Sequence, residues 1–256
     1  MANYDNQQAR YGTHAASVPA IDEGLRAHML RVYNYMLMGL ALTGVFALGT
    51  FNLSFSDAPT AYALGNGLYL TDLGYALFGS PLRWVIMLAP LGMVFFLSFR
   101  VQKMSVSAAQ MTFWAFAALL GVSLSSIFAV YTATSITQVF FISAATFGAM
   151  SLWGYTTKRD LTAMGSFLMM GLIGVIIAMV VNIFLASSAL AFAISVIGVL
   201  IFVGLTAYDT QKIKEMYSVN DDGTVAGRKA IMGALTLYLD FINIFLFLLQ
   251  LFGDRR

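Results

Sequence analysis

The sequence predicts an all-α, polytopic membrane protein, and three features predict it. Of its 256 residues, 59% are hydrophobic and only 10% charged, and the mean hydropathy of +0.79 lies outside the range of soluble domains. No Asp, Glu, Lys or Arg occurs between Lys103 and Lys158, nor between Asp160 and Asp209, and each gap has room for two crossings of roughly 20 residues. The apolar runs are continuous and lack the period-two alternation of barrel strands, so they read as helices.

Taken in order, residues 1–31 are polar, with no apolar core and no small-residue cleavage site. They read as a mobile cytosolic tail, not a signal peptide. Residues 32–256 then form a single transmembrane domain of seven apolar segments, at about 32–53, 83–99, 108–131, 135–155, 162–186, 189–208 and 230–252. The second is the shortest and carries Pro90 near its middle, which predicts a kink. The Gly-rich connection "SFSDAPTAYALGNGLYLTDLGYALFGSP" has room for a short interfacial helix. No internal repeat is evident.

Orientation follows from the basic residues. Arg10, Arg26 and Arg31 in the tail, Arg100 and Lys103, Lys158 and Arg159, and Lys212, Lys214, Arg228 and Lys229 all fall on one side, eleven in all. The loops "TATS" and "ASS" and the long first connection carry none, apart from Arg83 at the mouth of the second helix. The amino terminus is therefore expected in the cytosol. Seven full crossings leave Arg255 and Arg256 on the opposite side, but the 23 residues of the last segment make about 34 Å of helix, enough to cross. Two arginines do not outweigh eleven.

Two acidic residues interrupt the apolar spans, Asp209 in "YDTQKIK" and Asp240 in "LTLYLDFINIFLFLLQLF". The turn signal Asn220, Asp221, Asp222, Gly223 lies close to their midpoint, so an antiparallel hairpin of helices six and seven sets both carboxyls at nearly the same depth. An ionised aspartate in the membrane core costs at least a few kcal/mol, so it must face protein or water, or take up a proton. Two carboxyls within hydrogen-bonding distance cannot both ionise cheaply, and they titrate as one unit. Such a pair is a pH-sensitive latch. Protonated, it ties the two helices together; ionised, it repels, binds a cation or recruits an arginine, for which Arg100 is the candidate. Calcium prefers six to eight oxygen ligands, so two carboxylates make a transient calcium site and not a storage site.

The runs "LRVYNYMLMGLALTG" at 30–44, "YDTQKIK" at 208–214 and above all "LYLDFINIFLFLLQLFG" at 237–253 resemble the Bax inhibitor-1, or transmembrane Bax inhibitor motif, family in its bacterial form. The resemblance covers the whole chain after the polar tail. It implies six helices around a central, unusually apolar seventh, and a pH-sensitive calcium leak. It implies further that Asp209 and Asp240 are the family's paired aspartates and that Arg100 stands where an arginine contacts them. Where bacterial calcium-leaking relatives can carry a glutamate in helix two, this chain reads "IMLAPLGMV", with Ala89 and Pro90, a departure that bears on calcium conduction.

Three other readings stand beside the leak. An intramembrane aspartyl protease expects Gly-x-Gly-Asp and Pro-Ala-Leu, and here the second aspartate stands in Leu-Tyr-Leu-Asp, so no enzyme is expected. A modulator that binds a partner is compatible with the resemblance, which makes a membrane-bound AAA protease a candidate partner. Third, the two aspartates could serve only to pin helices six and seven. No resident cofactor is expected. There are no cysteines; His14 and His28 have no companion at metal-ligand spacing, and the 15 methionines suit adaptable packing better than a copper site. The small net charge of +2 and the lack of a basic stripe exclude nucleic acid as a partner. Asn182, Asn243 and the Ser123, Ser125, Ser126 cluster are expected to bond between helices, and glycines 39, 44, 49, 171 and 174 to let helices approach closely.

Overall fold

A computed structural model describes the backbone of residues 2–65 and 67–256, and side chains from residue 23 onward except at 65 and 66. Among the described residues, seven helices are long and apolar enough to cross a membrane. They are α1 (Ala2–Ser54), α2 (Leu82–Arg100), α3 (Val106–Leu124), α4 (Ala133–Thr156), α5 (Thr162–Leu185), α6 (Ser188–Glu215) and α7 (Gly223–Phe252). Side-chain caps start several of them. Ser105, Thr132 and Ser187 accept from the backbone N–H three residues on, and Asp222 accepts from Thr224 and Val225.

The centre of the molecule is α7. Within its apolar window 72% of residues are buried, against 6% to 39% for the other six spans. The central position expected for the seventh helix is therefore observed. Its closest neighbours are α6, α1, α4 and α3, while α2 leans mainly on α3 and α5 on α6. Aromatic edges lock α7 from two sides: Phe113 and Phe116 of α3 meet Tyr238, and Phe140 and Phe147 of α4 meet Phe241.

The boundary expected at residue 32 falls inside α1. Leu25, Met29, Val32 and Met36 recur at helical spacing and pack into the core, so the helix is already engaged where the sequence is still polar. His28, expected outside the spans, is buried in that same stretch. The side chains of residues 1–22, including His14, lie outside the described residues, and so does the expected mobility of the tail.

Between α1 and α2 the chain forms a small antiparallel sheet, β1 (Phe55–Ser56), β2 (Tyr62–Gly65) and β3 (Leu68–Leu70), in the order β1-β3-β2. A helical turn at Asp72–Gly74 and a π turn at Tyr75–Gly79 follow. The expected interfacial helix is thus reduced to these turns. Strands of two to four residues, with a register shift between Ala63 and Gly65, are too short to print an alternating pattern. On the same face the carboxyl terminus docks on the loop before α4: Thr132 N–H donates to Asp254 O, Arg256 N–H to Val130 O, and Arg255 stands over the Tyr131 ring. The last helix therefore runs from the loop after α6 to the loop before α4, the length of the bundle, and its two following arginines lie against aromatic rings, Arg256 over Phe51.

Small-residue packing differs from expectation. A Cβ at Gly44, Gly49 or Gly174 would meet nothing within 4 Å, whereas one at Gly39 would press on Phe113 and one at Gly171 on Ile201. Between the long helices, two other glycines let backbone approach backbone, Gly121 against Thr43 and Gly154 against Ala207. The expected interhelical polar bonds are also redirected. Asn243, Ser125 and Ser126 donate to carbonyls of their own turn, and Asn182 accepts from Ser187 just past its own helix. A short side chain on a helix finds its i−3 or i−4 carbonyl before it finds a neighbour.

Candidate functional site

The site is built by the hairpin of α6 and α7. Along α7, Gly233 lies against Ile213 and Phe247 against Gly198 and Phe202 of α6, so the residue seven positions from each, Asp240, faces α6 too. Along α6, Asp209 falls between Phe202 and Ile213 on the face turned to α7. The two carboxyls are within hydrogen-bonding reach of one another. A hydrogen bond between two carboxyls requires a proton on one of them. Asp240 is 4% exposed, and its Oδ2 finds no partner among the described residues; Asp209 is half-buried. The pair therefore combines a sealed inner member with an outer one that reaches the surroundings.

Arg100 is not brought to this pair. It ends α2, its side chain is exposed, and α2 packs mainly on α3 at the outside of the bundle. Its level is set nearby: Arg228 Nε donates to Met104 O at 2.7 Å and Val106 touches Gly227. Asp240 lies twelve residues beyond Arg228, about 18 Å of helix. The cation that acts on Asp209 is Lys212, one turn along α6, which also stands over the Tyr208 ring. Arg100 thus differs from the expectation in height along the bundle as well as in the outward face it takes.

Beside the aspartates runs a chain of hydroxyls. Tyr33 OH of α1 is 2.6 Å from Ser151 Oγ of α4, which is 3.0 Å from Thr210 Oγ1 of α6, and that hydroxyl donates to Thr206 O. Sequence reasoning passed over it, although a serine and two threonines that stay buried in apolar runs were a usable signal. The rest of "YDTQKIK" stitches the loop between α4 and α5. Gln211 accepts from Leu161 N–H and donates to Arg159 O, and Lys214 Nζ donates to Tyr155 O at 2.9 Å.

For a hard cation the pair offers two carboxylates. No group of three or more His, Cys, Asp or Glu side chains that could hold a metal occurs among the described residues. Calcium passing here would have to complete its shell with carbonyls and water.

The family described as "Inhibitor of apoptosis-promoting Bax1" matches residues 25–256. The chain belongs to the Bax inhibitor-1 family. It is 46% identical over 235 residues to the inner membrane protein YbhL of Escherichia coli K12, covering 91% of this chain and 94% of that one. An uncharacterized protein of Rickettsia prowazekii is 48% identical over 235 residues, 92% of both chains, and one of Caulobacter vibrioides 43% over 250 residues, 95% and 97%. The matched stretch of this Bax inhibitor-1 member starts at Leu25, the first of the four apolar residues by which α1 engages the core.

Proposed function

We propose that the protein is a pH-sensitive leak for calcium, or another cation, in a bacterial inner membrane, with Asp209 and Asp240 as its gate. The observation that carries this is a buried Asp240 whose Oδ2 has no donor among the described residues, set against a second carboxyl on the adjoining apolar helix. Lipid-facing or dry surroundings make such a pair costly unless it is used. With one proton between them the carboxyls join α6 and α7. Without it they repel and present an oxygen site that a cation can enter and leave.

The inner membrane is supported by the name of the E. coli relative, and a cytosolic amino terminus by the eleven basic residues on that face. The test is calcium influx into liposomes loaded with a calcium dye. Flux well above protein-free liposomes supports the leak. Flux at the empty-liposome level at every pH moves the reading to a non-conducting modulator, for which co-purification of a membrane-bound AAA protease would be the next observation.

A further inference from the structure

Two cavities, about 660 Å³ and about 380 Å³, lie end to end between α1 and α4 and share Leu40, Phe140 and Phe241. They form one apolar groove down the side of the bundle, floored by α7. Both helices lean on α7 more than on each other, and the hydrogen bond that spans the walls is the one from Tyr33 to Ser151. The larger cavity reaches from Arg26 to Leu40, fourteen residues or about 21 Å of helix. One leaflet of a hydrocarbon core is about 15 Å deep. The groove thus begins at headgroup level and runs past mid-membrane.

Its mouth is basic. Arg26 lines it, exposed, and Lys214 stands 5.3 Å from the ring of Tyr155, which also lines it. Below the mouth the lining is almost wholly apolar. Its size is in the range of ligand pockets. A basic mouth above an apolar slot that lies at membrane depth matches one chemistry, a phosphate joined to an acyl chain.

We propose that this groove seats an acyl chain of an anionic glycerophospholipid, with the phosphate held at Arg26. The inference does not depend on conduction. The chain would lie against Phe241, next to Asp240 in α7, so the lipid would help hold α7 in place.

The test uses the full-length chain released in detergent, with added phosphatidylglycerol or phosphatidylcholine as probes and retained lipid read by native mass spectrometry. Gly148 lines the groove, and a Cβ there meets nothing within 4 Å, so Gly148→Leu starts from an open position and projects into the slot. Gly174→Leu, at an equally open position that does not line the groove, is the control. The expected result is retention of phosphatidylglycerol over phosphatidylcholine by the native chain and by Gly174→Leu. Gly148→Leu should lose the retained lipid, and Arg26→Gln should lose the preference between the two. Unchanged retention in Gly148→Leu, with an unchanged melting temperature to show that it is folded, would overturn the proposal. Equal retention of both lipids by the native chain would overturn the assignment of an anionic headgroup to Arg26.

Discussion

Tyr238 is fully buried in α7, yet its hydroxyl is matched: it lies 2.6 Å from Thr43 Oγ1, which can pass its own hydrogen to the carbonyl of Gly39 or Ala117 at 2.9 Å. Tyr238→Phe should therefore lower stability by about 1 kcal/mol, read as a lower unfolding midpoint in detergent. At the surface Asp160 acts locally. Its carboxyl is held below the ordinary value of 3.8 by Thr162, first through the threonine hydroxyl and second through the backbone N–H from which Oδ1 accepts at 2.8 Å just ahead of α5. The contribution is present above that ordinary value and is lost as pH falls through the lowered one. Protection of the Thr162 amide, the slowing of its exchange relative to an unstructured amide at the same pH, should fall in that acid window, and Asp160→Ala should show the low protection at every pH. The aspartate pair was legible because nothing else acidic interrupts the spans and because the turn lies midway between its members. The misplacement of Arg100 has an equally physical cause: hydropathy marks where a span ends, but not how far along the bundle a neighbouring helix carries its polar residue or which way a helix face turns.

At the scale of the helices, contact depends on faces that composition does not reveal. Gly49 and Gly154 look alike in sequence, but a Cβ at Gly49 would meet nothing within 4 Å and one at Gly154 would strike the backbone of Ala207. Gly154→Leu should cost about 1–3 kcal/mol or block assembly of α4 with α6, whereas Gly49→Leu should leave the unfolding midpoint near that of the native chain. The seven spans were readable because each is a long apolar run. The sheet Phe55–Leu70 was not, since its strands are held by backbone pairing and by Thr71 at Leu53 and Ser54, not by a hydrophobic pattern. The early engagement of α1 was half visible: Leu25 and Met29 continue the spacing of Val32 and Met36, hidden among Arg26, His28 and Arg31.

Over the whole molecule, the basic residues and the end-to-end run of α7 make a joint prediction about sidedness. The chain has no cysteine, so single cysteines report cleanly. Ser218→Cys, in the loop between α6 and α7, should react with an impermeant maleimide only from the cytosolic side. Ser187→Cys, between α5 and α6, should react only from the other. The reverse pattern would invert the orientation and the direction of any leak. The hub-like burial of α7 would give the proposed gate its reach, because a change between α6 and α7 is a change at a helix that α1, α3, α4 and α6 all pack on. The central claim is that one proton shared by Asp209 and Asp240 sets conduction, and calcium influx recorded between about pH 6 and pH 8 in native, Asp209→Asn and Asp240→Asn liposomes tests it most directly. The account predicts a flux that changes with pH in the native protein and is flat in both folded variants. A pH response that survives both substitutions would contradict it.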